Sequence, residues 1–291
     1  MSAEKSETRS YTHLFHKTEY LHRPAQRPKA NSVLCQCTGL GTAFQKPVLT
    51  GLVTILYRKA FQKVKYVFFE NKENASEFCK RKIISADRQI VLAGAGINLE
   101  RYKMQPYPKH TRIHFLYLGR IMKEKGIDEL FYAVRHLKKE NENFVLDLVG
   151  FFEDEYKEQV KELEKHSIAH FYGFQSDPRP FYIEADCVVL PSYHEGMSNV
   201  LLEAAATGRP VVTSNIPGCR ESVENGKSGL LVEVKNKEML YDAMKEMLHC
   251  SREEREQMGQ AGREKMEREF RKEVVVEKTV QSLRGDEKRD F

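Results

Sequence analysis

PSYHEGMSNVLLEAAATGRPVV, residues 191–212, is the stretch whose reading decides the fold. It opens at the end of an apolar run, DCVVLPS, and closes inside another, RPVVTS. Between them SNVLLEAAATG has the composition of a helix, closed by Gly208. Strand, helix and strand in so few residues predict parallel strands joined by a helical crossover. The same stretch holds two carboxylates eight positions apart, Glu195 in the loop ahead of the helix and Glu203 two turns into it. A chain with this many acidic residues has many pairs at that spacing, so the neighbours must give the pair its meaning.

The βα rhythm continues outward. RIHFLYLG, NFVLDLVG, IAHFYGF and DCVVLPS read as strands, and IDELFYAVRHLKKE, EDEYKEQVKELEKHS and the short DPRPFYIEA as the helices between them. GLLVEV reads as the last strand, and residues 236 to about 283 as helix with a mostly solvated, highly charged face. Upstream, KYVFFE and QIVLAG are strands flanking the helical NKENASEFCKRK. Apolar strands alternating with helices predict an α/β chain with parallel sheets covered on both faces. QPYPKH, residues 105–110, reads as a linker, because proline favours extended backbone. Residues 1–36 are polar, hold three His and two Pro, and show no convincing strand. The expected organisation is an unmatched segment 1–36, an incomplete N-terminal domain 37–108, a C-terminal domain 109–270 and a helical tail 271–291.

Composition excludes several classes. The longest uncharged apolar stretch, PVLTGLVTILY, is too short to span a bilayer, and MSAEKSETRS does not read as a secretory signal. Six scattered Cys without a CxxC pair read as reduced thiols in a cytoplasmic setting, and no metal site is expected. The net charge of +5 conceals an asymmetry: residues 1–110 carry 19 Lys and Arg against 8 Asp and Glu, and the remainder 28 against 34. A basic N-terminal half suits an anionic membrane surface or a phosphorylated acceptor, while no motif accompanies it for nucleic acid. VLTGLVTILYRKAFQKVKY, residues 48–66, reads as a helix with an apolar face of Leu49, Leu52, Val53, Leu56 and Ala60 and with Arg58, Lys59, Lys63 and Lys65 nearby. It either packs on its own sheet or lies on a membrane surface, and different faces allow both.

Ligands of an open parallel sheet bind beyond the carboxyl ends of its strands. Three loops emerge there. YLGRIMKEKGID carries Gly119, Arg120, Lys125 and Gly126, with two cations suited to phosphate oxygens, or simply a solvated basic loop. In the opening stretch Gly196 and Met197 lead to Ser198 and Asn199, either of which can cap the helix. Backbone N–H groups at such a terminus suit a diphosphate, and Glu195 and Glu203 suit the hydroxyls of two sugars. HFYGFQSDPRP places Gly173 and Phe174 after a strand, where Phe174 either lies against a flat base or turns into the core.

E-G-M-S-N-V-L-L-E-A-A-A-T-G-R-P-V-V, with LPSYH before it and SNIPGCRESVENGKSGLLVE after it, closely resembles the donor-binding core of retaining glycosyltransferases of family 4. LGRIMKEKGIDEL is similar to that family's Gly-Arg…Lys-Gly loop, and CTGLGTAFQ and GAGINLERY resemble bacterial members that build capsule, exopolysaccharide or lipid-linked oligosaccharide. The likeness runs from about residue 37 to about 280. It implies the GT-B fold, two Rossmann-like domains, here with a shortened N-terminal one. By this resemblance Arg120 and Lys125 bind the donor diphosphate in place of a metal ion, with no cofactor. Glu195 holds hydroxyls of the transferred sugar beside the backbone of Gly196, Met197 and Ser198, and Glu203 binds the ribose. Donor-site contacts also fall to Gly119, Gly173, Phe174 and Asn199. The implied reaction moves a hexose or N-acetylhexosamine from a nucleotide-sugar, with UDP expected, to a lipid-linked or saccharide acceptor. The second class is a nucleotide-sugar-binding relative without turnover. A His of the N-terminal half often contacts the sugar in this family, and none of His13, His16 and His22 is given that role.

Overall fold

The computed structural model describes residues 18–20, 33–37 and 47–287, apart from 63, 93 and 141. The rest of the segment 1–36, including His13, His16 and His22, and most of CTGLGTAFQ lie outside the described residues. The chain divides into two units, residues 1–91 and 92–291.

The first unit holds β1 (Thr18–Tyr20), β2 (Val33–Cys37), α1 (Pro47–Ala60), β3 (Val64–Phe69), α2 (Lys72–Lys80) and β4 (Gln89–Val91). They form one sheet in the order β1-β2-β3-β4, with β1 antiparallel to β2 and the other pairs parallel. Two of these strands lie where the sequence shows none. VLCQC is short and its neighbours are polar, so only the distant pairing with β3 identifies it. Its core gathers Val67 and Phe69 from β3, Tyr57 and Phe61 at α1, and Phe78 from α2. Phe78 meets Phe69 edge-on at 5.0 Å and Tyr57 at 5.4 Å. Asn71 caps α2 by accepting from the Asn74 N–H at 2.8 Å.

The face of α1 that packs is not the one its apolar residues mark. Thr50, Thr54 and Tyr57 are buried, and Val53 is partly so, while Leu52, Ile55 and Leu56 are 58%, 61% and 41% exposed.

The second unit runs β5 (Ile113–Leu118), α3 (Ile127–Lys139), β6 (Phe144–Val149), α4 (Lys157–Lys165), β7 (Ala169–Gly173), α5 (Arg179–Glu184), β8 (Cys187–Leu190), α6 (Asn199–Ala206), β9 (Val211–Ser214), β10 (Gly229–Val232), α7 (Lys237–His249), α8 (Arg252–Lys265), a π-helical turn Met266–Phe270 and α9 (Lys272–Glu287). Its sheet is wholly parallel, in the order β10-β9-β8-β5-β6-β7. Strands β6 and β8 are buried along their whole length, as the uninterrupted apolar runs require. The chain builds one way from β5 and the other way from β8, so β5 and β8 flank a topological switch point, where the βα loops of neighbouring strands meet.

Residues 92–108, which the sequence joins to the first domain, pack within the second unit. Arg209, fully buried, donates to the carbonyls of Pro106 at 2.8 Å, Tyr182 at 2.9 Å and Ile183 at 2.9 Å. Tyr107 is buried and donates to the Asp186 carbonyl at 2.5 Å. The prolines of QPYPKH enforce the extended backbone that resembles a linker, yet their carbonyls accept from arginines of the second unit, Pro106 from the buried Arg209 and Pro108 from Arg252. The charged tail is likewise more than a solvated face. Arg255 is buried and donates to the Met247 carbonyl at 3.0 Å, and Arg263 bonds the carbonyls of Tyr102 at 2.9 Å and Ala206 at 2.7 Å.

Candidate functional site

The switch point presses the loop after β5 against the loop after β8. A 3₁₀ turn, Lys123–Lys125, ends at Gly126, whose φ of 73° is left-handed. A Cβ there would lie 2.1 Å from the Pro191 carbonyl oxygen, so only glycine allows this approach. The Tyr193 N–H donates to the Glu124 carbonyl at 2.8 Å and locks the two loops together. Lys125 is thereby aimed at Glu195. Its Nζ lies 2.5 Å from Glu195 Oε1, and the Ser192 hydroxyl donates to the same oxygen at 2.8 Å. The Lys125 and Glu195 side chains are only 17% and 15% exposed.

A third loop underpins the turn. Gly218, at φ 86°, sits so close that a Cβ would lie 2.3 Å from the Gly196 carbonyl oxygen. Its own carbonyl accepts from the Ser198 N–H at 2.8 Å. Met197 is buried, and Ser198 takes the N-cap position of α6, though its hydroxyl makes no capping bond. Asn199 is the exposed first residue of the helix. The side-chain cap allowed by the sequence is therefore not formed.

Glu203 lies further along α6 and accepts from the Tyr182 hydroxyl at 2.9 Å. Burial pushes its carboxyl above the usual range, against hydrogen bonds from Tyr102 and Tyr182 that pull it down. The carboxylate is thus partly desolvated and held by the Tyr182 phenol, with Tyr102 beside it.

The remaining predicted residues sit at the ends of β5 and β7. Gly119 follows β5 and donates to the Val149 carbonyl at 2.9 Å, while the Gly173 carbonyl accepts from the Gly150 N–H at 2.9 Å. Arg120 pairs with Glu153 at 2.7 Å, both about two-fifths exposed. Phe174 does not enter the core. It is 70% exposed, with its ring 6.4 Å from that of Phe151, itself 46% exposed.

Five residues outside the opening motif also shape this region, Phe151, Glu153, Tyr102, Tyr182 and Gly218, as does Arg209 within it. Phe151 and Glu153 follow the end of β6 in GFFE, a place the strand rule marks for ligands. The polar ends of Tyr102, Tyr182 and Arg209 converge only in the fold, and nothing local in the sequence shows it. Among the described residues no cluster of His, Cys, Asp or Glu side chains is arranged to hold a metal ion, and no helix is long and apolar enough to cross a membrane. Cys79, Cys187, Cys219 and Cys250 are free thiols.

Residues 99–265 match the family described as glycosyl transferases group 1, a span that includes the switch-point loops and both glutamates. The chain belongs to that family. Among known group 1 glycosyltransferases and their kin it is 27% identical to the capsular polysaccharide biosynthesis glycosyltransferase CapM of Staphylococcus aureus, over 91% of this chain and 76% of that one. It is 29% identical to the N,N'-diacetylbacillosaminyl-diphospho-undecaprenol alpha-1,3-N-acetylgalactosaminyltransferase of Campylobacter jejuni, over 68% of this chain and 56% of that relative. The chain therefore spans three quarters of the first relative's length and little over half of the second's. Among solved structures it resembles the sucrose-phosphate synthase of Thermosynechococcus elongatus, with a TM-score of 0.72 and 22% identity over 87% of this chain and 67% of that one. It also resembles Anabaena HepE in complex with UDP and glucose, with a TM-score of 0.68 and 19% identity over 79% and 67%. The fold of this group 1 glycosyltransferase is GT-B.

Proposed function

We propose that the chain is a retaining glycosyltransferase that moves a hexose or N-acetylhexosamine from a UDP-sugar to a lipid-linked or saccharide acceptor in cell-surface polysaccharide synthesis. The observation that carries the reading is the Lys125–Glu195 pair at the N-terminus of α6, with Glu203 further along the same helix. One cation, a helix N-terminus and two carboxylates match a diphosphate between two sugars. Without donor, Glu195 neutralises Lys125. An arriving diphosphate draws Lys125 to its oxygens and frees Glu195 to accept from hydroxyls of the transferred sugar. Arg120 is held by Glu153 only in an exposed pair, which is worth little, so it turns to the same diphosphate at small cost. The two cations then stabilise the charge on the departing diphosphate, the main catalytic effect, in place of a metal ion and with no cofactor. The backbone of Gly196, Met197 and Ser198 lines the sugar, Glu203 takes the ribose, and Gly119, Gly173, Phe174 and Asn199 complete the donor contacts.

CapM, named for capsular polysaccharide, and the Campylobacter enzyme, named for a diphospho-undecaprenol substrate, support the acceptor class. HepE, solved with UDP and glucose, supports the donor. The exposed Leu52, Ile55 and Leu56 of α1, beside Lys59, support a chain that works at the cytoplasmic face of an anionic membrane. The test is a calorimetric titration with UDP, and with ADP and GDP as controls, on the wild type and on Glu203→Ala. UDP affinity should fall by about tenfold or more in the variant, the scale of hydrogen bonds to a charged group. Equal affinity in both proteins, or no nucleotide binding by either, would refute the donor site.

A further inference from the structure

Glu203 is the end of a chain of positioned groups that begins at the buried Arg209. That guanidinium bonds the carbonyls of Tyr182 and Ile183 at the end of α5, of Gln105 and Pro106 in the segment before β5, and of Gly208 after α6. Arg263 adds bonds to the carbonyls of Tyr102 and Ala206. Two arginines thus tie together the three backbones that carry Tyr102, Tyr182 and Glu203. The rings of Tyr102 and Tyr182 meet edge-on at 6.2 Å, and the two side chains are 7% and 0% exposed. The Tyr182 hydroxyl donates to Glu203 Oε2 at 2.9 Å, and the Tyr102 hydroxyl, beside it, pulls the same carboxyl downward against burial.

We propose that Tyr182 and Tyr102 are positioning residues of the donor site, whose hydroxyls fix the Glu203 carboxylate for the vicinal hydroxyls of the ribose in a nucleoside diphosphate. The inference rests on the donor-binding reading of Glu203. An ionised carboxylate offers roughly four lone-pair sites. Two phenols occupy one share of them and leave the rest for the ribose diol. A glutamate on a helix has several rotatable bonds, and holding it before the ligand arrives removes an ordering cost from binding. Both phenols stay protonated at neutral pH, because burial and the Glu203 charge push Tyr102 up to about 12 and Tyr182 well above its ordinary value. They therefore donate only, and favour the ionised carboxylate.

The experiment titrates wild type, Tyr182→Phe and Tyr102→Phe with UDP, GDP and ADP and with their 2′,3′-dideoxy counterparts, at several pH values. The phenylalanine variants keep the rings and remove only the hydroxyls. Each should lose about tenfold in affinity for the preferred nucleotide and keep its affinity for the dideoxy analogue, since only the diol uses Glu203. The fall in affinity at low pH marks protonation of Glu203, and it should move to higher pH in both variants. Equal losses for ribose and dideoxy ligands, or no loss and an unmoved pH profile, would overturn the proposal while leaving the donor site standing. A wild type that binds ribose and dideoxy nucleotides alike, or binds neither, would instead overturn the reading of Glu203 and the proposal with it.

Discussion

At the residue scale, His114 shows how a contact outside the candidate site sets a pH dependence. Its Nδ1 lies 2.8 Å from Oδ2 of Asp147, across the β5–β6 pair, and its backbone N–H donates to Asp186 at 2.9 Å. The hydrogen bond to Asp147 raises the imidazole above its ordinary value against partial burial; the charges of Asp147 and Asp186 add to the rise and Arg112 opposes it. The His110 ring lies tilted beside it at 4.4 Å. A histidine raised by folding contributes stability that is complete below the unfolded-state value near 6.5 and is lost as pH climbs through the higher folded value. His114→Asn should therefore cost about 1.5–3 kcal/mol near pH 6, measured by urea unfolding, and the gap should shrink toward pH 8.5. A gap that stays level over that range would refute the pair as its source. This pair was illegible in sequence because its members are 33 residues apart and meet only through strand register. Glu195 and Glu203 were legible because loop, helix start and small residues lie in one short stretch. What that stretch does not contain is the partner of each: Lys125, 70 residues from Glu195, and Tyr182, 21 from Glu203.

Among the elements, α1 departs furthest from its sequence pattern. Helical periodicity identifies it, yet it buries Thr50, Thr54 and Tyr57 and leaves Leu52, Ile55 and Leu56 outside. Periodicity shows that a helix has an apolar face, and it does not show what that face meets, because Phe61 and Tyr57 supply enough contact for the core without it. β2 is likewise hidden in sequence, since only its parallel pairing with β3 marks it, and the extended prolines of QPYPKH look the same in a linker and in a packed strap. By contrast the strands and helices from β5 to β10 were legible, since continuous apolar runs and amphipathic helices leave no other arrangement than a covered parallel sheet. For α1 the prediction is specific. Leu52→Gln with Ile55→Gln should change unfolding free energy by no more than about 0.5 kcal/mol per site, as surface changes do, whereas Phe61→Ala should cost about 3–5 kcal/mol. The same double substitution should weaken cosedimentation with vesicles rich in anionic phospholipid by at least about tenfold, from the lost apolar burial. Wild-type sedimentation by the substituted chain would remove α1 from the membrane contact.

On the scale of the whole molecule, all the candidate donor residues from Gly119 to Glu203 belong to the second unit, and the basic excess belongs to the first. Binding energy from a nucleotide should then stabilise the second unit, by an amount set by ligand concentration over its dissociation constant. The cysteines report this separately for each unit. Cys187 and Cys219 are fully buried in the second, while Cys79 is exposed on α2 in the first. A thiol reagent reaches the buried pair only when the second unit opens, and burial, which pushes both thiols far above their usual range, keeps them unreactive until then. In dilute urea, UDP at about 100 times its dissociation constant should slow modification of Cys187 and Cys219 by about a hundredfold, read by peptide mass mapping. Cys79 should react at an unchanged rate, since its exposure does not wait on opening of the second unit. Unslowed labelling of the buried pair at saturating UDP would mean that the ligand does not draw its affinity from the folded second unit. Slowed labelling of Cys79 alone would place the nucleotide directly over that thiol in the first unit, against every contact on which the donor site is built.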